Sequence, residues 1–266
     1  MKRTLFVILL ASLAAGGVGC SLFEEEKVST SHLGMEEQKT RLAADAKPAP
    51  PPKINSETHL AAARMLEKQG DIQAAIGQYE RAIVCDPRSA TAYSRLGVCY
   101  QKLGRFADAD QLLKQGISAC PGSAILYNNL GYSYLVQRRY SDAEQEFREA
   151  LRIAPDFPRA RMNLAITLGY SGNMKDALIE FSRVVPADIA HYNVAILKMD
   201  QGDYLGARDS FKEALAINPD CPGASEQLQR AQALVVNGGN PDSPPSVQLN
   251  QHIAGTGSDD AGTPPP

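Results

Sequence analysis

The stretch YNNLGYSYLVQRRYSDAEQEFREALRIAP, Tyr127 to Pro155, sets small residues at fixed points among large apolar ones. Leu130, Tyr134 and Leu135 recur at helical spacing, and after a break Ala143, Phe147, Ala150 and Leu151 do so again. That is the pattern of two short amphipathic helices, each with one apolar stripe. Beyond the break QRRY, Ser141 and Asp142 offer oxygens that suit a helix start, because they can accept from the unpaired amides of a first turn. Pro155 ends the second helix, since it has no N–H with which to continue the ladder. Gly131, Ala143 and Ala150 let the two backbones approach, and Tyr134 and Phe147 fill the space between them. The expected product is a helical hairpin.

The hairpin recurs. Leu130, Gly131, Ala143 and Pro155 are matched 34 residues earlier by Leu96, Gly97, Ala109 and Pro121, and 34 before those by Ala62, Ala63, Ala75 and Pro87. Forward, Leu164, Ala165, Ala177 and Phe181 continue the series, and Val194, Ala195, Ala207, Phe211, Ala214 and Pro219 close it. Five units span residues 56–221. A two-helix period of 34 with these residues in register resembles the tetratricopeptide repeat (TPR). The resemblance implies an all-α fold, a right-handed α-solenoid of five TPR hairpins with one concave surface, in which only stacking covers each hairpin's apolar face. Residues 222–237 carry Leu228, Ala231, Leu234 and Val235 on one stripe and are expected to cap the stack.

Some positions depart from the family pattern. His59, Arg161 and His191 stand where it has Trp or Tyr, and Gly116 stands for Ala; each is expected to weaken its hairpin. Leu164 and Val194 are 30 apart rather than 34, so the second helix of the fourth unit should stop near Val185, ahead of Pro186.

In this architecture the first helices line the groove, and the inward row is Ala61, Arg95, Asn129, Asn163 and Asn193. The three Asn residues resemble the asparagine ladder with which some TPR superhelices hold an extended peptide, each amide offering a donor and an acceptor to a passing peptide group. The same residue type is common there without a ligand, which is the alternative reading. One turn on stand Arg64, Val98, Tyr132, Ile166 and Ile196, and then Lys68, Lys102, Val136, Tyr170 and Asp200. The candidate peptide-binding set is Arg95, Asn129, Tyr132, Asn163, Ile166 and Asn193. The groove should be basic at its start, through Arg64, Lys68, Arg95 and Lys102, and apolar in its middle, to suit a peptide whose acidic end lies at the first units. The set of Lys and Asn with which the family clamps a terminal carboxylate is not reproduced.

Charge and chemistry narrow the function. A net charge of −3 leaves no broad basic face, which argues against nucleic acid as a partner. The four His residues are scattered, and no nucleophile beside a His, no paired carboxylates and no phosphate loop stand out. No enzyme, metal or cofactor is expected. Cys85, Cys99, Cys120 and Cys221 follow Cys20; export would permit a Cys85–Cys99 disulfide, with buried free thiols as the other reading.

MKRTLFVILLASLAAGGVGC opens on Lys2 and Arg3, continues with an apolar run from Leu5, and reaches Cys20 through small residues. Residues 1–19 read as a secretory signal peptide. Cys20 after GGVG resembles a bacterial lipoprotein processing site, which implies lipidation at Cys20 and a membrane-anchored protein facing the periplasm. Ser21 beside it resembles lipoproteins sent to the outer membrane. Gly17 departs from that pattern, which favours a larger aliphatic; secretion with a free Cys20 and an uncleaved anchor are the alternatives. Residues 20–55 mix EEEK and MEEQKTR with KPAPPPK, the composition of a disordered tether with one weak helix over 34–46. Residues 238–266 read as a disordered tail. Together these features imply a non-enzymatic adaptor for peptide segments of envelope proteins, resembling the TadD-like TPR lipoproteins of pilus and secretion assembly. A structural lipoprotein without a groove ligand is one alternative, and an enzyme, for which no catalytic pattern stands out, is the other.

Overall fold

The structure, a computed structural model, describes residues 54–236. The expected signal peptide, Cys20, the expected tether before Ile54 with its 34–46 helix, and the expected C-terminal tail lie outside the described residues. Among the described residues there are eleven helices and no strand. Five hairpins follow one another: α1 (Ser56–Lys68) with α2 (Ile72–Cys85), α3 (Ala90–Lys102) with α4 (Phe106–Ala119), α5 (Ala124–Val136) with α6 (Tyr140–Ile153), α7 (Pro158–Tyr170) with α8 (Met174–Ser182), and α9 (Ala187–Asp200) with α10 (Tyr204–Ile217). A last helix, α11 (Ala224–Val236), packs on α10 and brings Ala231, Leu228 and Leu234 to the cluster around Phe211.

Local chemistry sets the boundaries. Asn55, Asp71, Ser89, Asn173 and Asp203 each accept from an amide three residues on, a cap that contributes roughly 1 kcal/mol. The start of α6 differs from the expectation. Its cap is Arg139, with no side-chain acceptor, and Ser141 and Asp142 fall inside the first turn. Asp142 instead pairs with Arg139 at 2.6 Å and sets its negative charge at the positive end of the helix dipole. Helix α8 ends at Ser182, three residues before the expected stop at Val185. The amides of Val184 and Val185 both turn back to the Phe181 carbonyl, and Pro186 then leads into α9.

Packing repeats from hairpin to hairpin. The second helix of each contributes one fully buried large residue, namely Tyr79, Leu113, Phe147, Phe181 and Phe211. Where Phe147 crosses Gly131, a Cβ on the glycine would stand 2.8 Å from the ring, so the ring occupies the space that a side chain would need. Gly116 reverses the expectation that it weakens its hairpin. Tyr93 lies against it, with the Tyr93 Cβ 2.8 Å from where an alanine methyl would be. Glycine is there because the aromatic comes close.

At the three positions lacking an aromatic, polar pairs bridge the two helices of the hairpin. His59 Nδ1 meets Gln78 Oε1 at 2.8 Å, Arg161 pairs with Glu180 at 2.9 Å, and His191 meets Glu213 at 2.8 Å. Cross-links thus replace ring packing. The four cysteines are free, against the proposed Cys85–Cys99 disulfide. Cys99 is buried beside Ala63 and Tyr79, and Cys85 is exposed at the end of α2. Burial pushes the Cys99 thiol up to about 12.

Candidate functional site: the face of the first helices

The first helices α3, α5, α7 and α9 touch in succession, as well as packing on the second helices between them. Their shared seam is polar. Asn163 Nδ2 donates to Asn128 Oδ1 at 3.1 Å, Asn128 Nδ2 donates to Asn129 Oδ1 at 3.2 Å, and Asn129 Nδ2 donates to Ser94 Oγ at 2.9 Å. Every donor points the same way, so the amides form a directed relay from the fourth hairpin back to the second. A relay of one sense ends in an acceptor with nothing to accept. That acceptor is Asn163 Oδ1, buried and without a hydrogen bond. Such an orphan costs roughly 1–3 kcal/mol relative to a satisfied group.

The candidate residues are therefore placed unequally. Asn129 and Asn163 are 7 % and 1 % exposed, and their amides are turned onto neighbouring helices, so they are not open rungs. Asn193 is half-buried, and its side chain bonds to no described residue. Tyr132 is half-buried as well. Ile166 belongs to the core rather than to an open apolar floor, because α7 is flanked on both sides by first helices and is buried almost all round, and Ile196 of α9 packs in the cluster around Phe211. Sequence reading passed over Asn128. Its signal was the doubled NN in the opening stretch, where one Asn was enough for a ladder but two were needed for a relay.

The basic start of the groove is also corrected. Glu67, its side chain 4 % exposed, pairs with Arg95 at 2.9 Å and Lys102 at 3.2 Å and accepts from the Tyr79 hydroxyl at 2.5 Å. Burial alone would raise the Glu67 carboxyl, but the Tyr79 hydroxyl and the charges of Arg95 and Lys102 outweigh it and hold it below the usual carboxylate range. Burial and the same carboxylate push the Tyr79 phenol up. Two of the four expected cations thus balance a carboxylate that joins the first hairpin to the second. Arg64 and Lys68 remain exposed.

A second buried carboxylate, Asp110 of α4, accepts from Ser133 Oγ and Gln137 Nε2 and lies 3.7 Å from Arg139. Gln101 Nε2 reaches the Asn129 carbonyl at 2.8 Å, and Gln201 Nε2 reaches that of Gly169 at the same distance. Tyr170 donates to Asp200 Oδ2 at 2.9 Å and stacks on Tyr140. No group of His, Cys, Asp and Glu with the geometry of a metal site occurs among the described residues.

Paired helices stacked in series, one large side chain fully buried by each second helix, and polar contacts running along the first helices define the architecture. This is a tetratricopeptide-repeat fold. Models of the TPR repeat match residues 63–104, and tetratricopeptide-repeat models match 89–120, 124–157 and 189–221. Many solved structures match this chain, and three of those that share the TPR fold do so at low identity. YrrB, described as a TPR protein with an unusual peptide-binding site, is 20% identical with a TM-score of 0.51, over 67% of this chain and 94% of its own. MamA is 20% identical with a TM-score of 0.51, over 61% and 91%. TTC0263, a thermophilic TPR protein of Thermus thermophilus, is 19% identical with a TM-score of 0.50, over 67% and 100%. A search of curated proteins matched none. Stacked repeats of this kind create an extended concave surface, and the TPR fold serves in general as a scaffold for binding proteins or peptides.

Proposed function

We propose that this chain is a non-enzymatic adaptor that holds an extended peptide segment of an envelope protein along its first helices. The signal peptide and the lipid at Cys20 would place it in the envelope, facing the periplasm and anchored in the outer membrane. The observation that carries the reading is Asn193 on the face of the first helices, which is half-buried and whose side chain bonds to no described residue. Its amide can hold a peptide group passing along this face through one donor and one acceptor. The scaffold role in pilus, secretion or outer-membrane assembly rests on the lipoprotein-like start together with the TPR fold.

The test is photocrosslinking in cells, with a crosslinking amino acid replacing Tyr132 in the full lipidated chain. Defined adducts to envelope proteins are expected, and Asn193→Ala should reduce them several-fold. Adducts that are diffuse and indifferent to Asn193 would overturn the reading. The second reading, a structural lipoprotein with no groove ligand, is favoured by one observation. The amides of Asn128 and Asn129 are spent on holding helices together.

A further inference from the structure

One end of the hairpins carries a cluster that the relay does not use. Tyr140 begins α6, Tyr170 ends α7 and Asp200 ends α9, so three successive hairpins each bring one side chain to the same corner. The rings of Tyr140 and Tyr170 lie 5.9 Å apart and 11° from parallel. The Tyr170 hydroxyl fixes Asp200 through Oδ2. Asp200 Oδ1 receives no bond from any described residue, and Asp200 enters none of their ion pairs. Tyr140, Tyr170 and Asp200 are all partly exposed, so the corner is reachable.

A carboxylate removed from water and given one neutral donor is poorly compensated. Burial raises the Asp200 carboxyl, and the Tyr170 bond and the more distant charge of Arg230 only partly oppose this. The turn beside the cluster is unusual too. Four of the five hairpins turn on a left-handed glycine, at Gly70, Gly104, Gly172 and Gly202, while the third uses Arg138 at φ 59°. A non-glycine residue there costs about 1 kcal/mol. That turn therefore puts a side chain where the fold favours none, next to the ring pair. Arg138 acts on the Tyr170 phenol through space, as Arg230 acts on Asp200.

We infer that this corner, formed by Tyr140, Tyr170 and Asp200, is a pocket for one basic side chain, lysine or arginine, of the extended peptide held along the first helices. The cation bonds Asp200 Oδ1 and rests against the stacked rings, which attract it through their negative faces. The inference rests on the groove reading above and gives it a direction. The basic residue of the ligand lies at the fourth and fifth hairpins, at the opposite end from the exposed Arg64 and Lys68.

The test uses the full mature chain in detergent and fluorescent peptides of Ala, Ser and Thr that carry one central lysine, norleucine or glutamate. The lysine peptide should bind about tenfold more tightly than the norleucine peptide, as expected for a cation between a carboxylate and aromatic faces. In Asp200→Asn, checked as folded by circular dichroism, the two should bind alike. Tyr170→Phe, which keeps the ring but releases the carboxylate, should retain part of the preference. A lysine preference that survives in Asp200→Asn, or none in the unaltered chain while the peptides still bind, would overturn the pocket and leave the groove. Absence of binding by every peptide would remove both.

Discussion

Arg138 occupies, at φ 59°, the left-handed turn position that Gly104 occupies at φ 70° one hairpin earlier. Both end a first helix and aim the chain into the second. Only the arginine has a Cβ to crowd the following carbonyl. Arg138→Gly relieves that crowding but adds freedom to the unfolded chain, and the first effect is the larger. The variant should be more stable by about 0.5–1 kcal/mol, measured as a higher midpoint in urea with unchanged slope. A loss of stability would show that the arginine side chain holds the turn.

Gly116 invites the opposite mistake. Helix propensity alone favours alanine over a mid-helix glycine by about 1 kcal/mol. Yet the atom an added methyl meets first is the Tyr93 Cβ at 2.8 Å, which is anchored to the backbone of α3 and has little room to move. Overpacking of this kind costs about 1–3 kcal/mol. Gly116→Ala should therefore destabilise on balance, by about 1 kcal/mol. Restored stability in Gly116→Ala with Tyr93→Gly, relative to Tyr93→Gly alone, would assign the cost to that contact.

These cases show what was legible in the sequence. Leu130, Gly131, Phe147 and their repeats at 34 residues disclose the hairpin stack, because packing small against large demands a residue type at a fixed interval. The shortened fourth unit was visible in Pro186. The seam along the first helices was only half visible. Periodicity says that Asn129 and Asn163 face the same way, but whether an amide meets solvent or its neighbour depends on how closely α5 and α7 approach. Glu67 was missed because a carboxylate on α1 meets Arg95 and Lys102 only across a hairpin boundary, where no short-range spacing signals it. His59, Arg161 and His191 looked like losses for a similar reason, since their partners lie on the other helix.

Glu67 makes the docking of the first hairpin sensitive to acid. Its carboxyl is held below the ordinary value of 4.5 in the folded chain, so its contribution is fully present above that value and is lost as pH falls through the folded one. Because Lys102 is exposed and Arg95 partly so, the contribution is about 1–2 kcal/mol rather than that of a fully buried pair. Protection factors of the α1 amides should fall as pH drops below 4.5 while those of α5 hold. Glu67→Gln should show that lower protection already at pH 7 and lose most of its pH dependence. Equal protection of α1 in both proteins at pH 7 would refute the coupling.

The relay predicts a non-additive cost. Asn128 accepts from Asn163 and donates to Asn129, so Asn128→Ala strands a donor on one neighbour and an acceptor on the other, both buried. Leaving two such groups unpaired should cost about 2–4 kcal/mol. Once the relay is cut there, Asn163 has already lost its internal partner, and Asn163→Ala should cost little more. The double variant should therefore be close in stability to Asn128→Ala alone, giving a coupling of about 1–2 kcal/mol in a double-mutant cycle. Asn129→Ala should also depend on Asn128, because it removes the next acceptor in the same sense. Ser94, at the far end, has only one bond to lose, and Ser94→Ala should be the mildest of the four. Independent, additive losses at Asn128 and Asn163 in urea titrations would mean that the amides act as separate contacts, and that the orphan oxygen of Asn163 is not the end of a chain.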